Sequence, residues 1–368
     1  MKKTDYKMNR LILIGNGFDL AHGFKTSYKD FIFDYFKKIL EDFLIRDSSY
    51  KDVLFELSYT GIDKYPLYEN DFKITNFKEI RLSIDKIIKE GKCKVKFHSH
   101  LFSKIYTNLN ELKWVDIEND FFELLKSYSQ NNNQIIKLNN EFDYLRQKLK
   151  EYLIELNLSE VNFHHRPYSS LFTERIKKDD IVTVKLDNDI NPATIYFLNF
   201  NYTKTFENYY GFTQLHLKEV QLGFNFIHGE LDNEENPIVF GFGDEFDKNY
   251  LEFENLKNNN LFTHIKSFKY SQTTNYHDLT RFIESDDFQV YIIGHSCGLS
   301  DRTMLNQIFE HVNCKSIKIF YYQRSDRIDD FTEKTYEISR HFRDKGLMRL
   351  KLVPKSKSHA MPKPRKIN

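Results

Sequence analysis

Four segments of this chain bring together residue types that handle protons, sugars or phosphates, and each follows an apolar run of strand character. Asn199-Phe200-Asn201-Tyr202-Thr203 offers two carboxamides, which hold a water or a sugar hydroxyl without titrating. His228-Gly229 offers an imidazole suited to general-base work near neutral pH. Gly15-Asn16-Gly17-Phe18-Asp19 lets backbone N–H groups approach a ligand, because glycine has no Cβ to hold it away. Gly294-His295-Ser296-Cys297-Gly298, with Asp301 just beyond, spells G-x-S-x-G. Plainer readings compete: a tight βα turn at Gly15, a helix cap at one asparagine or at Thr203, and a structural histidine at 228.

The G-x-S-x-G match resembles the nucleophile elbow of serine hydrolases, yet an elbow starts its helix at the serine. Here Gly298-Leu299-Ser300-Asp301 intervenes, so the helix is expected about five residues late, with Ser300 or Asp301 as its cap. A triad would also need a downstream acid and then a histidine, leaving only His311, His341 and His359. A second glycine/serine loop around a sugar or phosphate is the favoured reading, with Asp301 near hydroxyls or capping its helix. Elsewhere, Asp116 reads as a helix cap with Trp114 packed on the core, and Gly241-Phe242-Gly243-Asp244 as a hairpin or loop. Lys266 and Lys269 read as phosphate contacts or a solvated helix face. His98, His100, Cys93 and the His164-His165 doublet lack a matching ligand set, so no metal is expected.

The apolar run 11–14 has the character of a buried parallel strand, and Phe31, Tyr35, Ile39 and Phe43 predict a helix over 28–44. Further strands are predicted at 181–184, 194–198, 222–227, 238–240, 290–293, 316–321 and 348–353, with helices at 302–311 and 331–345. Between 45 and 175 the pattern is mostly helical, clearest at 112–128 and 135–156, with no convincing buried strand. Strands alternating with helices imply a parallel sheet with crossover connections. The expected architecture is therefore an α/β core over 8–44 and 176–353. It is interrupted after its first βα unit by a helical insertion over 45–175 and ends in a basic, mobile tail over 354–368.

At 368 residues with 40% hydrophobic content, the chain can bury a large core. A formal charge of +1 gives no electrostatic case for nucleic acid or an anionic membrane. Three scattered cysteines, Cys93, Cys297 and Cys314, suit reduced thiols in a cytoplasmic protein. The polar N-terminus and the short apolar run after it predict neither a signal peptide nor a membrane span.

These motifs, in this order, resemble the AbiH family of bacteriophage abortive-infection proteins. The likeness is carried by Gly15 to Gly23 with Tyr28, by Trp114, Asp116 and Glu118, by Asn199 to Thr203, by His228-Gly229 and by Gly294 to Asp301. The pattern is also distantly similar to sirtuin-type domains, which implies a Rossmann-like, sirtuin-like core around NAD. By that likeness Gly15, Asn16, Gly17 and Asp19 line the pyrophosphate and ribose, with His22 and Asn199 beside them. Asn201 holds a water or ribose hydroxyl and His228 acts as base, while Gly294, Ser296 and Asp301 face the adenosine side. Three departures stand out, the first being Asp19 in the glycine loop, whose charge would repel a phosphate and should face ribose hydroxyls or a cation. Thr203 replaces the acid expected two residues after the asparagine, and the zinc-binding cysteine pairs are missing, which disfavours protein deacetylation. The resemblance implies an anti-phage effector that hydrolyses NAD, with a phage-derived trigger and a homo-oligomer as expected partners. A non-catalytic nucleotide sensor and a serine hydrolase built on Ser296 are the rival expectations.

Overall fold

The computed structural model describes residues 6–46, 49–59, 74–89, 91, 93–110, 116–156, 166–209, 211, 214, 220–243 and 245–364. In chain order the strands are β1 (Asn9–Ile14), β2 (Tyr50–Lys51), β3 (Phe55–Tyr59), β4 (Cys93–Phe97), β5 (Thr194–Asn199) and β6 (Gln221–Phe226). They continue as β7 (Phe288–Ile293), β8 (Cys314–Tyr321), β9 (Gln323–Ser325), β10 (Ile328–Asp329) and β11 (His359–Ala360). The chain divides into two compact units. One comprises 1–24, 156–252 and 264–368; the other comprises 25–155 and 253–263.

The first unit is built on a six-stranded sheet ordered β11-β8-β7-β1-β5-β6, every neighbouring pair parallel. Numbered by sequence within that sheet and read from the β6 edge, the order is 3-2-1-4-5-6, that of doubly wound Rossmann-like folds. Period-2 alternation sends each strand's side chains into two cores. Leu11 and Leu13 pack with Leu279, Ile283, Met304, Leu305 and Ile308 on one face. Ile12 and Ile14 pack with Phe18, Tyr168 and Phe172 on the other. That is why residues 11–14 are apolar without a break. Both faces are covered, and each such side chain contributes roughly 1.5–3 kcal/mol by leaving water.

β1 and β7 lie side by side at the point where the strand order reverses, the place where such sheets bind ligands. Their following loops touch there. Gly15 N donates to Ile293 O at 3.0 Å and Gly17 N to Gly294 O at 2.8 Å. A Cβ on Gly294 would stand 2.1 Å from Phe18 N, and one on Gly15 would stand 2.4 Å from His295 Cα. Gly294 also has φ +71°, the left-handed region that favours glycine. The glycines of both motifs are thus required by each other.

The second unit carries the helices Tyr28–Arg46, Phe77–Lys89, His100–Asn110, Ile117–Ser127 and Asn132–Glu155. Its first helix joins this unit and not the sheet, so the boundary falls after Phe24 rather than after Leu44. The region also holds an antiparallel sheet, β2-β3-β4, that its helical pattern concealed. Only Phe55, Glu56 and Leu57 of β3 are buried, and β4 alternates half-buried with exposed residues, too weak a signal to stand out.

Three predicted strands are not strands. Residues 182–184 form bends with Val182 largely exposed, and 238–240 run as loop. Residues 348–351 belong to the helix Lys345–Lys351, because Asp344 accepts from Gly346 N and Leu347 N and starts it. The tail is not loose over its described part. His359 and Ala360 pair with Phe320 and Tyr321, Met361 is buried, and Tyr168 donates to Pro362 O at 2.9 Å. Among the described residues no helix is long and apolar enough to cross a membrane.

Gly294→Ala should lower stability by more than about 2 kcal/mol in urea unfolding, since backbone on both sides must move. Gly23→Ala, at φ +80° but in open space, should cost only about 1–2 kcal/mol. Equal losses at the two positions would show that the loops do not hold each other.

Candidate functional site

The loops at 15–19, 199–203, 228–229 and 294–301 follow the carboxyl ends of β1, β5, β6 and β7, and so share one rim of the parallel sheet. At its centre is Asp301, the last residue of the 3-10 turn Leu299–Asp301, just before the helix Arg302–Glu310. It occupies the cap position but makes no side-chain cap bond. Its carboxylate turns instead to Lys266, whose Nζ donates to Oδ1 at 2.8 Å. His228 Nε2 lies 3.0 Å from the same oxygen, and His295 Nε2 lies 3.6 Å from Oδ2. The helix Lys266–Tyr270 is fixed by its first residue, because Lys266 N donates to Phe242 O and Phe242 N to His264 O.

All four charged or titratable groups are buried. Burial would raise the Asp301 pKa, but Lys266 and then His228 outweigh it and hold the carboxyl well below the ordinary range. Burial, followed by the nearby Lys266 charge, pushes the His228 pKa down against the pull of Asp301. His295 is lowered too, first by burial. Both imidazoles are thus shifted toward the neutral form beside a carboxylate held ionised.

His228 ends the run from β6. A Cβ on Gly229, at φ +81°, would stand 2.2 Å from Pro237 O, so glycine there lets residues 237–239 fold back and Val239 N bond His228 O at 2.8 Å. The Tyr270 hydroxyl lies 3.2 Å from His228 Nε2, and Phe200 packs edge-on to the ring with centroids 5.1 Å apart. With Nε2 facing Asp301, the proton belongs there and Nδ1 keeps its lone pair. Among the described residues no hydrogen bond engages that Nδ1.

The asparagines divide the work. Asn199 Nδ2 donates to Asn201 O and Thr203 O, and its Oδ1 accepts from Asn201 N, which staples the loop. Asn201 Nδ2 reaches Gly15 O at 3.1 Å, joining the β5 and β1 loops. Thr203 is not a helix cap. Its Oγ1 donates to Asp19 Oδ2 at 2.5 Å, while Asp19 Oδ1 is buried without a partner and burial raises the Asp19 pKa to about 6. Asp19 thus faces the protein interior. Asn16 and Gly17 open the short helix Asn16–Ala21. His22 spends one ring nitrogen on Phe18 O and the other on the Tyr209 hydroxyl, and burial drops its pKa to about 4.

Ser296 is exposed, and among the described residues no histidine hydrogen-bonds it. The loop's non-glycine positive φ falls one residue later, at Cys297 with φ +57°, and the helix starts at Arg302. His295 Nδ1 accepts from Cys297 N, and His341 Nε2 meets Cys297 O. Neither imidazole serves the serine. Asp116 caps its helix by accepting from Asn119 N. His98 pairs with Glu56 at 2.9 Å, and no cluster of three metal-ligating residues occurs among the described residues. Trp114, Asp244 and His164-His165 lie outside those residues.

Beside this cluster lies a cavity of about 240 Å3, lined by residues that include Gly243, Glu245, Ser267, Tyr270, Tyr276 and Asp301. Sequence reasoning left Lys266 with two open readings and did not single out Glu245, Tyr270 or His295. The spacing of four between Lys266 and Tyr270, which puts both on one helix face, was the available signal.

Fold and rim together define a doubly wound α/β protein with a buried Lys–Asp–His cluster at the carboxyl ends of its strands. The family whose model matches, over residues 11–323, is bacteriophage abortive infection AbiH, and the chain belongs to it. No curated protein and no solved structure matches the chain.

Lys266→Met should destabilise the fold by about 3–5 kcal/mol, because it leaves a buried carboxylate without its cation, and Asp301→Asn in the same chain should recover part of the loss. Urea unfolding of both variants checks this; a neutral Lys266→Met would remove the charge pair from the core of the site. Asp19 supplies a pH test. Its folded pKa of about 6 exceeds the ordinary 3.8, so its contribution is fully present below pH 3.8 and is lost as pH rises through 6. Relative to wild type, Asp19→Asn should therefore gain about 2–3 kcal/mol in stability between pH 4 and pH 7, read from unfolding curves at each pH.

Proposed function

We propose that this AbiH protein acts in abortive infection by hydrolysing NAD at the nicotinamide–ribose bond. The observation that supports the reading most is His228 itself: neutral, oriented through Nε2 by Asp301 and Tyr270, with Nδ1 unengaged, at the carboxyl rim of a Rossmann-like sheet. A base of this kind must be unprotonated at cytoplasmic pH and held in one tautomer, and both conditions follow from the buried Lys266–Asp301 pair. In the reaction water adds to C1′ of the ribose as the C–N bond breaks. Nicotinamide leaves with that bond's electron pair and ADP-ribose forms. The water proton passes to His228 and then to solvent. Asn201 keeps its Oδ1 for a ribose hydroxyl or the water, its Nδ2 being anchored on Gly15. Since the charge builds on the sugar, positioning and a fixed electrostatic field carry most of the catalysis.

A second reading is favoured by a separate observation. The N–H groups of Gly15 and Gly17 are already bonded to the β7 loop, so this glycine turn offers no open phosphate cradle in the present conformation. A protein that opens these loops only when a nucleotide arrives would work as a sensor, signalling without turnover.

Pure protein incubated with NAD and analysed by chromatography should release nicotinamide and ADP-ribose. His228→Ala should lower the rate at least about 100-fold, the usual scale for losing a general base, and Asn201→Ala should lower it as well. Both should keep the wild-type circular dichroism spectrum. Saturable NAD binding without product would favour the sensor, and full activity in His228→Ala would overturn the assignment.

A further inference from the structure

The cavity beside the cluster has a chemistry of its own. Among the described residues, no ion pair or hydrogen bond reaches the Glu245 carboxylate; only its backbone N is engaged, by Thr303 Oγ1 at 3.0 Å. Asp301, the other carboxylate in the wall, is already matched by Lys266. The unmatched charge presented to the cavity is therefore that of Glu245.

Two tyrosines form part of the wall, beside His277 and Met304. Tyr270 and Tyr276 stack with centroids 5.6 Å apart and planes 15° from parallel. Their hydroxyls are turned to the protein, Tyr270 to His228 and Tyr276 to Gln307. What they leave for an occupant is mainly aromatic surface. Ser267 adds a hydroxyl that is buried and has no hydrogen-bond partner. At about 240 Å3 the cavity is smaller than the 300–1,000 Å3 of pockets that hold whole drug-sized ligands. It has room for one substituted ring.

We propose that this cavity is a subsite for a flat, positively charged heteroaromatic ring. Glu245 sets the preference for positive charge, the tyrosine pair supplies aromatic contact, and Ser267 hydrogen-bonds a polar substituent on the ring. Identifying the ring as the oxidised nicotinamide of NAD rests on the reaction proposed above; the preference for a cation does not. The consequence for specificity is direct. The oxidised ring carries a positive charge, whereas the reduced dinucleotide and the released nicotinamide are neutral. Glu245 thereby selects the oxidised substrate and lets the product go.

The test uses the full chain and two small probes, 1-methylnicotinamide as the cation and nicotinamide as its neutral counterpart, titrated by calorimetry or ligand-observed NMR. Wild type should bind the cation about tenfold more tightly than the neutral ring, within the range expected of a desolvated cation–π and carboxylate contact. Glu245→Gln should bring the two within about twofold while leaving the thermal midpoint unchanged. Ser267→Ala should weaken both probes alike. Equal binding of the two rings by wild type, a preference that survives in Glu245→Gln, or no binding of the cation at millimolar concentration would each overturn the proposal. Cation preference without NAD cleavage would sink hydrolysis and leave the subsite standing. NAD cleavage with a KM unchanged by Glu245→Gln would sink the subsite and leave hydrolysis standing.

Discussion

Taking a carboxylate out of water costs several kcal/mol unless cations and hydrogen bonds replace the lost hydration. Asp301 is buried at the meeting point of three chain segments, and the surrounding rim is arranged to meet that cost. Lys266 arrives from the segment after Phe242, His228 from the end of β6 and His295 from the end of β7, each on one carboxyl group. The cluster therefore acts as a staple across strand ends far apart in sequence. It also fixes protonation states. Burial and the lysine beside them shift the imidazoles toward the neutral form, and a neutral imidazole with a fixed tautomer is the form that can accept a proton.

The two glycine loops show a different economy at the sheet's reversal point. An open crevice there would expose backbone N–H groups to an anion. In this conformation the β1 and β7 loops close on each other, and Gly294 O takes the N–H that a phosphate would otherwise meet. The open space on this rim lies toward the 243–304 region, where Tyr270 and Asp301 line the cavity and both reach His228. Membership of the AbiH family gives the protein its role in phage abortive infection, while its chemistry has to be argued from the site.

Much of the fold was legible because its signals are local. Residues 11–14 are apolar without interruption since both faces of β1 are covered, and 28–44 repeats its aromatic residues at helical spacing. The rim motifs were legible as well, as each sits just past an apolar run. What misled were short apolar stretches such as 348–353. There a single capping aspartate, Asp344, decided for a helix over a strand. The β2-β3-β4 sheet escaped notice because strand pairing is a non-local bond, and its strands carry too few buried residues to announce it.

The amino-acid sequence by itself determined the parallel α/β core and the positions of the glycine turns, since propensity, periodicity and the lack of a Cβ act over a few residues. Only the tertiary structure decided what those residues touch. It made Asp301, read as a hydroxyl contact or a cap, the centre of an ion cluster, and it buried Lys266, read as a phosphate contact or a solvated face. It also tied Thr203 to Asp19 and showed that the glycines of two distant motifs exist to touch each other. Charge burial and close backbone approach depend on what arrives from elsewhere in the chain, and no window of sequence contains that.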